Sequence, residues 1–143
     1  MQRSILITVM IATISHFQCI SWTLSIKNIN RELTDTAESL KKDRSLVYKL
    51  DQKKVGATGY FYIMKTDGRI SYHPKKGLIN FSFSEYAFAK KIIKNKNGCL
   101  VSTADSRTRY IFYNDIGGGE ILCLTIDSSE IDENAFSCES TGI

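Results

Sequence analysis

The sequence predicts an α+β domain: one five-stranded antiparallel sheet, a long N-terminal helix on one face and a helical connection on the other. Three observations carry that expectation. Ile26 to Lys54 runs without proline or glycine and repeats Ile26, Leu33, Leu40 and Val47 every seven residues. Thr58 to Asn80, TGYFYIMKTDGRISYHPKKGLIN, reads as a tight β-hairpin that ends in His-Pro and runs into a loop. Three further strand-like runs then follow as a meander: Cys99 to Thr103, Arg109 to Asn114 and Glu120 to Ile126. Asp105-Ser106 and Gly117-Gly118-Gly119 supply their turns. With 143 residues, 43% hydrophobic and 24% charged, the chain has room for one domain with a proper core and not for two.

In the helical segment Ile29 and Leu50 take the second heptad position, and Thr36 and Asp43 interrupt that row. So narrow a stripe suits a helix that packs along a sheet or against a twin helix in a homodimer. In the hairpin, Asp67-Gly68 permits a two-residue turn. That register sets Thr66 opposite Arg69, Met64 opposite Ser71 and Tyr62 opposite His73. Alternation then gives two unlike faces. Phe61, Ile63, Ile70 and Tyr72 form an apolar face for the core. Tyr60, Tyr62, Met64, Ser71 and His73 form an aromatic face with hydrogen-bonding tips, which suits a small-ligand pocket better than a catalytic centre. Between hairpin and meander, Ser84-Glu85 before Tyr86, Phe88, Ile92 and Ile93 reads as a capped short helix, stopped by Asn97-Gly98.

Residues 1–25 form a leader. A short basic start precedes Ile5 to Leu24, which holds no Asp, Glu, Lys or Arg. Its apolar centre, Ile5 to Ile14, has signal-peptide length, and Ile20, Trp22 and Leu24 extend it to roughly membrane-spanning length. Cleavage after Ser21 would release the chain; retention would anchor it in the membrane. Either fate puts the domain outside the cytoplasm. At the other end, residues 132–143 read as an acidic polar tail.

Charge and cysteine content exclude several classes. The formal charge is +4, with eight Lys/Arg against five Asp/Glu over Lys27 to Lys54 and five acids with no base over Asp127 to Glu139. No dense basic stripe interleaved with aromatics supports nucleic-acid binding. The four cysteines, 19, 99, 123 and 138, become three if the leader is removed, an odd number that argues against a disulfide framework. Cys99 and Cys123 read as small core residues. The two histidines lie far apart and no C-x-x-C pair occurs, so the pattern matches no zinc site, and no cofactor is called for. An enzyme would need a nucleophile with a positioned base; Ser71 near His73 is the sole candidate, and no third group orients it.

Taken together, the helix leading to Gly59-Tyr60, the strand pair TGYFYIMKTDGRISYHP, the following Leu78-Ile79-Asn80 and Asn97-Gly98 before the last three strands resemble a bacterial extracytoplasmic Cache domain of the single-Cache type. This is the PAS-like sensor module of chemoreceptors and receptor kinases. The resemblance spans residues 26–131. Asn80 stands where relatives often have glycine, and asparagine tolerates the same left-handed backbone.

The resemblance implies a module that senses a small organic ligand such as a carboxylate, an amino acid or an amine. The amine-binding signature needs a tryptophan in the sheet region, and the single tryptophan is Trp22 in the leader. By matching position, Tyr62 and His73 fall on strands that line the family pocket, Tyr86 on the connection that covers it, and Arg109 or Tyr110 at the start of the fourth strand. Arg109 with the tyrosine hydroxyls would suit an anion. His73, before proline, has a structural alternative in which its ring caps a loop carbonyl. No transmitter follows Ile126, so a sensor would signal through a partner or be part of a receptor that has lost one. The alternative is a secreted small-ligand carrier or interaction protein.

Overall fold

The computed structural model describes residues 23–132 and 138–141. Nearly all of the expected leader lies outside the described residues. Among these, no helix is long and apolar enough to cross a membrane.

Helix α1 spans Ile26–Lys42. The Ser25 hydroxyl accepts the Asn28 N–H at 3.3 Å, a side-chain cap on an otherwise unpaired amide. The expected single helix to Lys54 does not form. Asp43 is extended, with φ of −144°, and a separate 3-10 stretch runs from Arg44 to Gln52. The cause is local and tertiary at once. The Asp43 carboxylate takes the Ser45 N–H at 2.9 Å, which competes with helical continuation. Arg44 donates to the carbonyls of Ile116 and Gly117 at 3.0 and 2.7 Å, which pulls the break against the sheet.

The sheet contains β1 (Tyr60–Lys65), β2 (Ile70–Tyr72), β3 (Gly98–Ala104), β4 (Arg107–Gly117), β5 (Glu120–Asp127) and β6 (Glu139–Thr141). Their order is β2-β1-β5-β4-β3-β6. The first five in that order are antiparallel as expected. The sixth is an addition: β6 runs parallel to β3, with Leu100 opposite Glu139. Part of the segment read as a polar tail therefore covers a sheet edge. It also brings Cys138 to Cys99, and the two form a disulfide with Cα atoms 5.2 Å apart. This corrects the reading of Cys99 as a plain core residue; a pairing across 39 positions depends on where the tail returns, which no local pattern reveals. Cys123 is a free, buried thiol.

The hairpin turn is longer by one residue than Asp67-Gly68 alone implies. Lys65 N–H donates to the Arg69 carbonyl, and Gly68 takes φ of +86°. A bulge then restores the expected register, so that Met64 faces Ile70 while Ile63 faces Tyr72, with Ser71 the extra residue. The longer turn sets Ile70 on the opposite face from that expected, beside Met64, and the bulge returns Tyr72 to its expected side. Phe61 and Ile63 keep the expected face.

Two cores result. On one face, Ile26, Ile29, Leu33, Ala37 and Leu40 of α1 pack on Phe61, Ile63, Tyr110, Phe112, Leu122 and Leu124. The apolar stripe of α1 is thus occupied within the domain and is not available to a twin helix. On the other face, Tyr62, Met64, Ile111, Tyr113, Ile121 and Cys123 pack beneath helix α2 (Ala87–Asn95), which contributes Ala89 and Ile92. This helix starts later than expected: Ser84 bonds Ser82 rather than capping it, and Tyr86 holds the cap position without a side-chain bond. Asn80 adopts φ of +68°, the left-handed conformation its place in the Leu78-Ile79-Asn80 run requires.

Candidate functional site

Helix α2 covers one end of its sheet face, and a cleft of about 1260 Å³ opens over the other. The floor follows from strand alternation and cross-strand pairing. Tyr62 pairs with Cys123, Tyr60 with Thr125, and Arg109 with Asp127, so these side chains step in rows along one face. The walls are Lys54, Ala57 to Gly59, His73 to Lys75, residues of the Phe83 to Phe88 connection and the β3–β4 turn.

Four of the five residues named from the sequence, Tyr62, His73, Tyr86 and Arg109, line this cleft. Tyr110 does not. It sits on the α1 face, stacked with Phe112 at 6.3 Å between ring centres. Arg109 and Tyr110 are neighbours on an extended strand and must point to opposite faces, so only one could enter the cleft. Thr125, Phe83 and Phe88 also line it and were not singled out. Thr125 was legible, being the polar residue on the Ile121–Cys123 face of β5. The approach of Phe83 was not, because it depends on how the connection folds back.

His73 is almost fully buried, with its ring centre 5.3 Å from Tyr60 and 5.7 Å from Tyr62. Its Nδ1 accepts the Lys75 N–H at 2.9 Å. In the neutral ring that leaves the proton on Nε2. The ring therefore caps a loop, as the structural alternative required, though the partner is an amide and not a carbonyl. Burial, and then the charge of Lys75, hold His73 below its ordinary pKa, which favours the neutral form. Burial likewise pushes the Tyr62 hydroxyl well above its usual range, and the Cys123 thiol beside it up to about 12. Tyr60 is raised too, by burial, against the opposing pull of Arg109.

Near neutral pH the polar groups of the floor are thus uncharged, except for Arg109 and Asp127. Arg109 Nε lies 3.4 Å from Asp127 Oδ1, a partly exposed ion pair. Ser71 Oγ reaches the Ile63 carbonyl at 3.5 Å, a contact that fits its place in the bulge and not a nucleophile's. Among the described residues no group of three or more His, Cys, Asp or Glu could hold a metal ion.

The cleft wall is tied to the segments just before α1 and just after β5. The Glu130 carboxylate accepts the N–H groups of Ala57 and Thr58 at 2.6 and 2.7 Å, while Leu24 N–H donates to the Glu130 carbonyl at 2.7 Å. Leu24 also bridges Ile131 in parallel fashion. Gly56 makes the approach possible: a Cβ there would lie 2.3 Å from Glu130 Oε2, and its φ of +64° is left-handed.

An antiparallel five-stranded sheet with a long helix on one face and a cleft under a helical connection on the other has the fold of Cache-type extracellular sensor domains. A methyl-accepting chemotaxis protein from Vibrio parahaemolyticus is similar at a TM-score of 0.59 and 14% identity, over 74% of this chain and 88% of that one. The extracellular domains assigned to the histidine kinases mmHK1S-Z2 and mmHK1S-Z3 give TM-scores of 0.52 and 0.51 at 19% and 21% identity, each over 61% of this chain. The chain spans little more than a third of those two, 37% and 36% of their lengths. No family model and no curated protein sequence matches it.

Proposed function

We propose that this chain is an extracytoplasmic, ligand-binding sensor domain that takes up a small organic anion in the cleft, with Arg109 meeting the anion and Tyr60, Tyr62 and His73 offering hydrogen bonds. One observation carries the reading: the floor's guanidinium, paired with Asp127, adjoins the cleft-lining side chains Tyr60, Tyr62, His73 and Thr125, whose polar groups are neutral. The Cache-type fold supports a binding module over an enzyme. The Cys99–Cys138 disulfide supports an oxidising, extracytoplasmic compartment. The hydrogen bonds that join the cleft wall, Glu130 and Leu24 support a sensor over a carrier, because they link Thr58 directly to the segment that leads into α1. Signalling then passes to a partner or to a transmitter elsewhere.

The test is a thermal-shift screen of small organic acids on the purified protein, repeated on Arg109→Ala. Acids that raise the melting temperature of the parent and not of the variant support the site. A screen in which every hit survives the substitution would remove Arg109 from it. A reporter fused after Ser25 should be active only outside the cytoplasm, and fractionation then separates an anchored sensor from a released carrier.

A further inference from the structure

The body of the anion is also written in the cleft. Cross-strand pairing orders this sheet face in three rows, Tyr62–Cys123–Tyr113, then Tyr60–Thr125–Ile111, then Asp127–Arg109–Ser102, of which Tyr62, Tyr60, Thr125, Ile111, Arg109 and Ser102 line the cleft. Of these only the last holds a cation, Arg109, paired with Asp127, while Lys54 and Lys75 stand on the walls. Six aromatic rings line the same cavity. Tyr60, Tyr62 and His73 form one group of mutual ring contacts. Phe83, Tyr86 and Phe88 form a second, with ring centres 5.3 to 5.8 Å apart, and both groups line the same cavity.

Packing explains part of the second group, since Phe83 and Phe88 lean on the α2 core. It does not explain Tyr86, which is 50% exposed at the lip. An apolar ring left against water over a cleft gains by covering a flat apolar surface. A cleft of about 1260 Å³ also exceeds what a short aliphatic acid fills.

Resting on the anion-binding reading, we propose that the ligand is an aromatic carboxylate: a single anionic head at Arg109 and a planar ring in contact with both aromatic groups. The test is titration calorimetry of the full chain with 3-phenylpropanoate, propanoate and 3-phenylpropan-1-ol. The aromatic acid binds more tightly than either partial probe, by on the order of tenfold or more, because each lacks one half of the recognition. Tyr86→Ala, at the exposed lip where folding is not at risk, weakens 3-phenylpropanoate and leaves propanoate unchanged; Arg109→Gln weakens both acids. Equal binding of propanoate and 3-phenylpropanoate overturns the aromatic proposal and leaves the anion site standing. Equal binding of the alcohol and the aromatic acid overturns the anion site itself, and with it the proposal. Failure of all three probes to bind also overturns the proposal, and the wider acid screen then decides whether the sensor reading falls with it.

Discussion

Glu130 accepts both the backbone N–H of Thr58, at 2.7 Å, and the Thr58 hydroxyl, whose oxygen in turn accepts the Asp127 N–H at 3.0 Å. One carboxylate thereby fixes a wall of the cleft to the end of β5. Burial alone would raise its pKa, but the bonds from Thr58 and Ala57 outweigh that and hold it below the ordinary value of 4.5. A depressed carboxylate gives stability that is present above the unfolded value and lost as pH falls through the folded one. Glu130→Ala should cost about 1–3 kcal/mol near neutral pH, for the loss of charge-assisted bonds at a partly exposed site. It should also flatten the acid limb of the stability profile. Hydrogen exchange at Ala57 and Thr58 should quicken in the variant; unchanged protection there would contradict the link.

The Cys99–Cys138 bridge overturns the expectation, drawn from an odd number of cysteines, that no disulfide framework forms. Closing a loop of this length restricts the unfolded chain by about 2–4 kcal/mol. Dithiothreitol, or Cys138→Ser, should therefore lower the melting temperature by several degrees, whereas chelators should leave it unchanged. Cys123, buried and with its thiol pushed up to about 12, should react with thiol reagents only after unfolding. An equal melting point with and without reductant would mean that the bridge does not form.

Adjacent residues of β1 should behave in opposite ways. Phe61 is 1% exposed in the α1 core, and Phe61→Ala should destabilise by about 3–5 kcal/mol. Tyr62→Phe should change stability little and weaken ligand binding by about 1 kcal/mol, for one lost hydrogen bond. Tyr110→Phe, on the far face, should leave binding untouched. Loss of binding in the Tyr110 variant and not in the Tyr62 variant would invert the assignment of faces.

His73 should make the domain sensitive to mild acid. Burial and Lys75 depress its pKa below 6.5, so over that interval the unfolded chain holds more protons than the folded one. Stability then rises with pH through the interval and falls on acidification below 6.5. His73→Asn keeps an acceptor for the Lys75 N–H and removes the titration, so denaturation measured across the same range should lose that slope. A slope that persists in the variant assigns it to another group.

Much of this protein is set by local sequence. Alternation places Phe61 and Ile63 on one face and Tyr60 and Tyr62 on the other, since a strand's period of two leaves no freedom once one residue is buried. The same rule, applied to Arg109 and Tyr110, already required that one of them leave the cleft. Asn80 and the turn at Asp105-Ser106, with φ of 51° and 60°, follow from residues that tolerate left-handed backbone. What tertiary structure decided involves partners distant in the chain. Asp43 breaks the long helix where Arg44 meets the carbonyls of Ile116 and Gly117, some seventy positions away. A longer turn sets Ile70 on the other face before a bulge at Ser71 restores the register, and Cys138 finds Cys99 because β6 pairs with an edge strand. The carboxylate of Glu130 reaches Thr58 because Gly56 leaves space for it. Such contacts depend on which segments pack side by side, and that is settled by burial across the whole core and not by any window of neighbouring residues.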